Sequence, residues 1–351
     1  MTRRPAVACA AIGAAAVLLL SVSACRSAAS GGNGTSANKV ATLKIMVGGL
    51  NKQIYLPAKL AERLGFFKDA GVNVQVSDEP SGVNAEVAML SGQVDATVGF
   101  YDHTIDLQAK GQFAQSVVQL SRAPGEVELC RTDVADQIKT TADWRGRKLG
   151  VTGLGSSTYF LTLALAKMGG VASKDITTVA VQAGQTFIAA MDNKAIDCGM
   201  TTEPTITTLL KSNKAKVMIE MRTPEGTKDA LGGPYPAASL YMRNDFVRSH
   251  RSAVQKIVNA FVKTLQWIAS HSAADITAKL PADYYSGTGM DAYVKALDAS
   301  KVMFTTDGVM PADGPRTVFA ALREFNKDVQ RKAGKIDLSK TYTTEFVKNA
   351  T

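Results

Sequence analysis

Residues 72–99 read VNVQVSDEPSGVNAEVAMLSGQVDATVG, and their pattern is a clear indication of the fold class. Residues 72–76 alternate apolar and polar side chains, as β-strands do. A helix is predicted from Ser81 to its end at Gly92, and residues 95–99 form a second strand. A strand, a helix and a strand in this order predict a parallel sheet with right-handed crossovers.

Similar elements lie on both sides of this stretch. Before it, residues 43–47 are an apolar strand and residues 54–64 have helical periodicity, with Gly65 placed as a C-terminal cap. After it, the same βαβαβ order is predicted over residues 148–200. Three residue pairs share one offset of 102 positions: Gly82 and Gly184, Met89 and Met191, and Asp95 and Asp197. The shared offset predicts two similar α/β lobes.

The composition excludes several classes of protein. The 351 residues are 46% hydrophobic and 20% charged, which excludes bulk disorder and fibrous structures. Lys and Arg exceed Asp and Glu by 40 to 31, but the charges are scattered, which disfavours a nucleic-acid surface. Four Cys and three His are too few and too dispersed for a structural zinc site. We therefore expect no metal and no cofactor.

The first residues have the pattern of an export signal. Arg3 and Arg4 precede the apolar residues 6–20, which are fewer than the ~20 that a membrane span requires. Small residues then lead to Cys25, as in a bacterial lipobox. We expect a signal peptide at 1–24 and a lipidated Cys25 followed by a flexible tether to residue 41. The alternative is a plain signal peptide that is cut near residue 24. The lipidated form would face the periplasm or the cell exterior from the cell membrane.

Two similar lobes on a tether predict a ligand that is held between them. In open α/β sheets, ligands lie beyond the carboxyl ends of the strands, close to helix N-termini. Those N-termini carry free N–H groups and partial positive charge. The expected ligand therefore has a carboxylate, sulfonate or phosphonate group.

Several segments resemble one family, the nitrate/taurine/sulfonate-type substrate-binding proteins of ABC importers. They are YLPA at 55–58, GFFKDAGV at 65–72, SGQVD at 91–95, DWRGRKLGV at 143–151 and FTTDG at 304–308. The resemblance implies an α/β type II periplasmic-binding-protein fold with a cleft between two lobes. It also implies two hinge crossings, near 124–131 and 241–244. Lobe 1 would then be 42–124 plus 244–351, and lobe 2 would be 125–243.

The resemblance also implies a function and partners. The protein would be a monomer without enzymatic activity that captures a small organic anion, such as a sulfonate, a nitrate-like ion or an aromatic or carboxylic acid. It would deliver this anion to ABC permease subunits in the membrane. Two alternatives stay open: a ligand-sensing protein, and an enzyme on the same fold related to thiamine-pyrimidine synthesis. The chain has no G-x-S-x-G motif.

Turns at helix starts supply the first candidate ligand contacts. The turn at 153–158 offers backbone N–H groups and three hydroxyls, and the resemblance implies an anion there. The alternative is that one hydroxyl only caps the helix. The candidates in this turn are Gly155, Ser156, Ser157 and Thr158. The equivalent turns of the first lobe add Gly49, Leu50, Asn51, Ser81 and Gly82.

The ends of the third strand of each lobe supply the other candidates. In the first lobe they are Phe100, Tyr101 and His103, with the alternative that Phe100 lies in the core and His103 on a helix surface. In the second lobe they are Thr202 and Glu203, and Glu203 either receives an amino group or caps the next helix. Tyr235, between two prolines, would form a wall of the cleft. No Arg falls on a predicted cleft loop, which disfavours bidentate binding of nitrate or a sulfonate.

Two cysteines fall on predicted strands of the second lobe. Cys130 and Cys198 remain once Cys9 leaves with the signal peptide and Cys25 is lipidated. An exported protein can form a disulfide. Free buried thiols are the alternative, because Cys is readily buried.

Overall fold

The computed structural model describes residues 42–351, which contain two β-sheets with helices around them. The strands are β1 (Thr42–Val47), β2 (Asn73–Asp78), β3 (Ala96–Phe100), β4 (Ala114–Gln119), β5 (Glu126–Arg131), β6 (Lys148–Val151), β7 (Thr177–Ala180), β8 (Cys198–Thr202), β9 (Ala215–Met221) and β10 (Ala238–Arg243). The first sheet has the order β2-β1-β3-β10-β4 and the second has the order β7-β6-β8-β5-β9.

The helices pack around these sheets. They are α1 (Leu56–Arg63), α2 (Phe66–Asp69), α3 (Gly82–Leu90), α4 (Asp102–Ala109), α5 (Ser157–Met168), α6 (Gln185–Asp192), α7 (Thr205–Lys211), α8 (Pro224–Leu231), α9 (Asn244–Ser249), α10 (Arg251–Ser270), α11 (Ala273–Thr277), α12 (Met290–Ser300), α13 (Gly314–Phe325), α14 (Lys327–Lys332) and α15 (Glu345–Lys348). Within the described range, no helix combines the length and apolarity that crossing a membrane requires. The predicted signal peptide, Cys25 and tether lie outside the described residues.

The two sheets confirm the predicted pair of similar α/β lobes. In each sheet, the first three strands of the lobe pair in parallel in the same order. The two aspartates of the repeat make the same contact. Asp95 Oδ2 accepts from the backbone N–H of Lys44 at 2.8 Å, and Asp197 Oδ2 accepts from that of Lys148 at 2.9 Å. The offset of the sequence repeat therefore corresponds to a structural repeat.

The position of β10 corrects the predicted hinges. β10 lies in the first sheet, antiparallel to both β3 and β4, so the sheet is mixed rather than wholly parallel. β5 occupies the matching place in the second sheet, antiparallel to β8 and β9. The chain therefore crosses between lobes at 120–125 and 232–237, not at 241–244. Strand pairing places β10 in lobe 1, and lobe 2 ends before it.

Two further features connect distant parts of the chain. Cys130 and Cys198 are directly opposed on β5 and β8, and their sulfurs form a disulfide with an S–S distance of 2.00 Å. The helix α13 packs against α4 of the first lobe and α5 of the second. There the rings of Phe160 and Phe325 lie 5.7 Å apart. One side of the interlobe cleft is therefore covered by a C-terminal helix.

Candidate ligand-binding cleft

Both lobes contribute to a small inner chamber in the cleft. The first lobe supplies the turn after β1 and the beginnings of α3 and α4, and the second supplies the beginnings of β5 and α5. Its volume is about 10 Å³, which is room for a single water molecule. The lining residues are Lys52, Ile54, Tyr55, Gly82, Phe100, His103, Glu126, Thr152, Ser156, Ser157 and Thr158.

A larger outer chamber of about 340 Å³ lies next to it. Its walls come from the first lobe, the second lobe and the C-terminal segment around Tyr284. They include Gly49, Asn51, Asp78, Pro80, Gly184, Gln185, Glu203, Thr205, Asp283, Tyr284 and Ser286. Lys52 lines both chambers. The two chambers are therefore parts of one cleft, with Lys52 at their junction.

Lys52 places a buried positive charge in the cleft. Its Nζ donates to the carbonyl oxygens of Gly48 at 2.7 Å and Pro80 at 3.1 Å, which leaves one N–H direction for a ligand. Burial lowers the pKa of Lys52 to about 8, although Glu126 and Asp78 oppose the shift. Gly49, with φ +107°, lies under the Lys52 stem, where any added Cβ would collide. The sequence analysis looked for arginines and missed Lys52, although it follows the turn at the carboxyl end of β1.

Glu126 places a buried carboxyl group on the opposite lobe. It begins β5 and lies directly opposite Thr202 of β8. Glu126 Oε2 and Thr202 Oγ1 are both buried without a hydrogen-bond partner among residues 42–351. Burial raises the pKa of Glu126 well above its usual range; Asp102 adds to this effect and Lys52 opposes it. The sequence analysis also missed Glu126, whose only signal is an acidic residue at the start of an apolar strand.

Asp102 connects the two lobes at the edge of the inner chamber. Its Oδ1 accepts from the Ser157 hydroxyl at 2.7 Å, and its Oδ2 accepts from the Tyr235 hydroxyl at 3.0 Å. Burial raises the pKa of Asp102, while His103 and both hydrogen bonds act in the opposite direction. Ser157 and Tyr235 therefore hold a carboxyl group of the first lobe when the lobes are closed.

His103 is a buried imidazole, not a residue of a helix surface. Its Nδ1 lies 3.0 Å from Glu86 Oε2 and 3.1 Å from the Tyr241 hydroxyl. Burial alone would lower the pKa of His103, but Glu86 and Asp102 outweigh this effect and raise it to about 9. His103 Nε2 has no hydrogen-bond partner within the described part of the chain. At neutral pH it is therefore a free N–H donor beside the inner chamber.

The hydroxyls of the turn at 153–158 bond to one another. Ser156 Oγ lies 2.9 Å from Thr152 Oγ1 and 2.8 Å from Thr158 Oγ1. Among the described side chains, none caps the first turn of α5. The first turn thus keeps its N–H groups beside the inner chamber, and simple capping does not account for these hydroxyls. Gly155 has φ +92°, which favours glycine there.

Comparison with known proteins agrees with the two-lobed fold. Residues 55–274 match the NMT1/THI5-like family. The chain belongs to this family. A protein of Bordetella bronchiseptica RB50 with a solved structure is 34% identical, with a TM-score of 0.84 over 88% of this chain and 96% of that one.

Two more distant structures share the fold. The periplasmic nitrate-binding protein NrtA of Synechocystis PCC 6803 has a TM-score of 0.68 at 14% identity, covering 89% of this chain and 88% of that one. The alkanesulfonate-binding protein SsuA of Xanthomonas axonopodis pv. citri, bound to MOPS, has a TM-score of 0.64 at 18% identity, covering 82% and 95%. Both are binding proteins rather than enzymes. The expected two-lobed periplasmic-binding-protein fold and the resemblance to nitrate- and sulfonate-binding proteins are confirmed, and the chain has the architecture of a solute-binding protein.

Two of the predicted ligand contacts, Tyr101 and Glu203, bond to other parts of the protein. The Tyr101 hydroxyl is 2.5 Å from Thr341 Oγ1 and its ring packs edge-on against Tyr342, so Tyr101 points towards the C-terminal segment. Glu203 Oε2 accepts from the backbone N–H of Thr207 at 2.9 Å and thus caps α7, the alternative that the sequence analysis left open. Its other oxygen accepts from Arg222 at 2.7 Å.

The remaining candidates divide between the two chambers and their rims. Phe100 lines the inner chamber and is also buried, with its ring edge-on to Tyr55 at 6.3 Å. Gly82 lies beside it, whereas Gly49 and Asn51 line the outer chamber. Leu50 stabilises the turn after β1, because its backbone N–H donates to Asp78 Oδ1 at 2.6 Å. Across residues 42–351, no group of three or more His, Cys, Asp or Glu could hold a metal ion.

Proposed function

We propose that this protein is an extracytoplasmic solute-binding protein that captures a small organic anion in the cleft and delivers it to an ABC permease. The observation that carries the proposal is the position of Lys52. Its ammonium group lies at the junction of the two chambers, enclosed by both lobes. The hydroxyls and the first turn of α5 face the same inner chamber and supply neutral donors for an oxyanion.

Direct contacts between the lobes support capture by closure. Asp102 accepts from Ser157 at 2.7 Å, and the backbone N–H of Gln53 donates to the carbonyl oxygen of Glu203 at 3.1 Å. Each of these bonds joins one lobe to the other. A ligand that reaches Lys52 must therefore enter an open form, which closes by movement at the crossings 120–125 and 232–237.

The proposed binding of an anion is tested first, with the wild type and a variant of Lys52. Calorimetry with a panel of alkanesulfonates, nitrate and aromatic carboxylates should find a binder, and a ligand at a hundred times its Kd should add about 2.7 kcal/mol to the free energy of unfolding. Lys52→Met should weaken this binding about tenfold or more, because it removes the buried cation. Lys139→Met changes a lysine whose side chain is 66% exposed and serves as the control.

The results distinguish anion capture from the alternatives. Equal loss in both variants, or no binding of any anion to the wild type, contradicts anion capture. Turnover of a bound compound would favour the enzyme alternative instead. Affinity should also fall as the pH rises through about 8, where Lys52 loses its proton.

The membrane anchor is tested separately with Cys25→Ser. If Cys25 is lipidated, as the small residues before it indicate, this variant should carry no lipid and run as an unacylated precursor that keeps its signal peptide. The binding of the anion should not change, because the substitution alters none of the residues that line the cleft. Processing of the variant to the same size as the wild type would contradict the anchor without affecting the proposed capture of a solute.

A further inference from the structure

The chain enters lobe 1 at the end of the first sheet that lies away from the cleft. β1 begins at Thr42 and ends at Val47, shortly before the turn that lines the outer chamber. Its six residues span about 17 Å, which separates the two ends of the sheet. The predicted lipidated Cys25 lies 17 positions before Thr42, so the intervening chain reaches at most about 60 Å. A membrane anchor at Cys25 would therefore attach to lobe 1 at the end opposite the cleft.

Basic side chains lie around this end of the sheet. Lys44 is exposed on β1, two residues after the strand begins. Lys256 of α10 lies beside the start of β2, because a Cβ added to Gly71 would be 3.8 Å from its Nζ. Arg243 ends β10, and a Cβ added to Gly92, in the turn before β3, would be 3.8 Å from its Nη1. The first sheet therefore carries basic side chains around the end where the chain enters it.

An open depression of about 460 Å³ extends this surface beyond β10. Its walls include Arg243, Arg248, Lys340 and one acidic residue, Asp245. Phe113, which directly precedes β4, lines the same depression and is 52% exposed. Lys and Arg beside an exposed Phe are the combination by which peripheral proteins contact lipid headgroups. We call this surface the basic pole, and it comprises Lys44, Phe113, Arg243, Arg248, Lys256 and Lys340.

The positive charges of the basic pole exceed the negative charges that neutralise them. Arg243 Nε lies 3.4 Å from Asp245 Oδ1, and Lys340 Nζ lies 3.3 Å from Asp337 Oδ2. A third acid, Asp95, accepts from a backbone N–H. Among residues 42–351, three cations of the basic pole have no carboxylate oxygen within 4 Å, and these are Lys44, Arg248 and Lys256. The surface is therefore complementary to a partner that carries several negative charges.

We propose that the basic pole binds the headgroups of anionic membrane lipids, so that the protein lies on the membrane with its cleft turned away from the bilayer. A membrane is the partner that the predicted anchor brings within reach, since the chain from Cys25 enters the protein at this surface. Each Lys or Arg near an anionic surface strengthens association about fivefold, and salt weakens it. The proposal goes beyond capture of an anion, because no residue of the basic pole lines a chamber of the cleft.

Amide hydrogen exchange tests this contact on the natively processed protein. The protein is measured with vesicles of phosphatidylcholine and phosphatidylglycerol in equal amounts, with vesicles of phosphatidylcholine alone, and with inorganic phosphate. Segments 110–113 and 243–248 should exchange at least about fivefold more slowly with the anionic vesicles and not in the other two samples. The protection should disappear at about 1 M NaCl, where charges are screened beyond about 3 Å.

Variants that remove charge identify the surface responsible. A triple variant changes the three unpaired cations: Lys44→Gln, Arg248→Gln and Lys256→Gln. It should lose the protection, and Arg248→Gln alone should weaken association with the anionic vesicles about fivefold. The control changes three exposed lysines of the second lobe: Lys167→Gln, Lys174→Gln and Lys228→Gln. It lowers the net charge equally and should keep the protection.

The outcomes separate this inference from the proposed function. Equal exchange with both kinds of vesicle overturns it. Equal loss in the two triple variants also overturns it, because net charge rather than the basic pole would then be responsible. Protection by inorganic phosphate would identify a soluble anion as the partner and overturn the assignment to lipid.

Stability and cleft binding are measured on the same proteins. The melting temperatures of both triple variants should stay near that of the wild type, because none of the six side chains is buried. Anion binding in the cleft should be equal in the wild type and both triple variants. A failure of Lys52→Met to weaken that binding would contradict the proposed function and leave the role of the basic pole standing.

Discussion

Buried ionisable side chains define the cleft, and most of them are paired. Lys52 binds two carbonyls, Asp102 binds two hydroxyls, and His103 lies beside Glu86. A buried charge without a partner is costly, so each pair stabilises one arrangement of the chamber. Glu126 is the exception in the walls of the inner chamber, because its Oε2 has no hydrogen-bond partner among residues 42–351.

The His103 pair predicts a dependence of stability on pH. His103 faces Glu86 from α3, Asp102 and Asp106 from α4, and Tyr241 from β10. Its pKa in the folded protein, about 9, exceeds the ordinary 6.5, so its contribution is complete below about 6.5 and is lost as the pH rises to 9. The loss amounts to at most about 3 kcal/mol.

Urea unfolding of the wild type and of His103→Gln at pH 6 and pH 9 measures this contribution. The variant should lose more stability at pH 6 than at pH 9. The measured quantity is the difference in the free energy of unfolding between wild type and variant at each pH. The wild-type curve alone is not enough, because deprotonation of Lys52 raises stability as the pH rises above 8. An equal loss at both pH values would show that His103 is not protonated in the fold.

The strand β5 carries a separate function on each face. Val127 and Leu129 pack in the apolar core of the second lobe, with Phe187 and Leu209. The other face carries Glu126 at the chamber, then Glu128, then Cys130 in its disulfide. Alternation along a strand thus places the chamber-lining Glu126 and the disulfide on one face.

The disulfide predicts a loss of stability on reduction. Cys130 and Cys198 are 68 positions apart, and opening a loop of that length costs up to about 4 kcal/mol in the loop-entropy estimate. The free energy of unfolding, measured with and without reductant, should fall by roughly this amount. The double variant Cys130→Ser/Cys198→Ser should be destabilised to a similar extent and should not respond to reductant. Ligand affinity should change little, since neither cysteine lines a chamber.

Closure of the whole molecule depends on close contact between the lobes. An added Cβ at Gly153 of the second lobe would collide with Ser81 Oγ of the first lobe and lie 3.4 Å from Ser81 Cβ. The backbone at Gly153 does not need a positive φ, so a larger residue is compatible with the fold of its own lobe. The lack of a side chain at this position serves closure.

Gly153→Val should therefore keep the lobes apart without unfolding either of them. We expect ligand affinity to fall about tenfold or more, with a melting temperature near that of the wild type when no ligand is present. Small-angle scattering should show that the radius of gyration shrinks on ligand addition in the wild type and not in Gly153→Val. Gly334→Val is the control, because an added Cβ there meets no atom within 4 Å. A normal closure in Gly153→Val would show that the lobes tolerate a gap at this contact.

Local pattern was enough to predict the framework of this protein. The strand and helix periodicities, the offset of 102 positions and the paired aspartates predicted two similar α/β lobes, because these features depend on neighbouring residues and on repetition. The turns at 153–158 and after β1 were also found from sequence, since glycine and hydroxyl residues mark strand ends. They identified the region of the cleft but not the charged groups within it.

The charges of the cleft and the boundary of its lobes were decided by tertiary packing. Strand pairing placed β10 in the first sheet, which moved the second crossing to 232–237. Packing against Thr341 turned Tyr101 away from the chambers. Asp102 accepts hydrogen bonds from the hydroxyls of Ser157 and Tyr235, which lie 55 and 133 positions further along the chain. Periodicity records which way a side chain faces on its own element, whereas a binding chamber is made where elements distant in sequence converge.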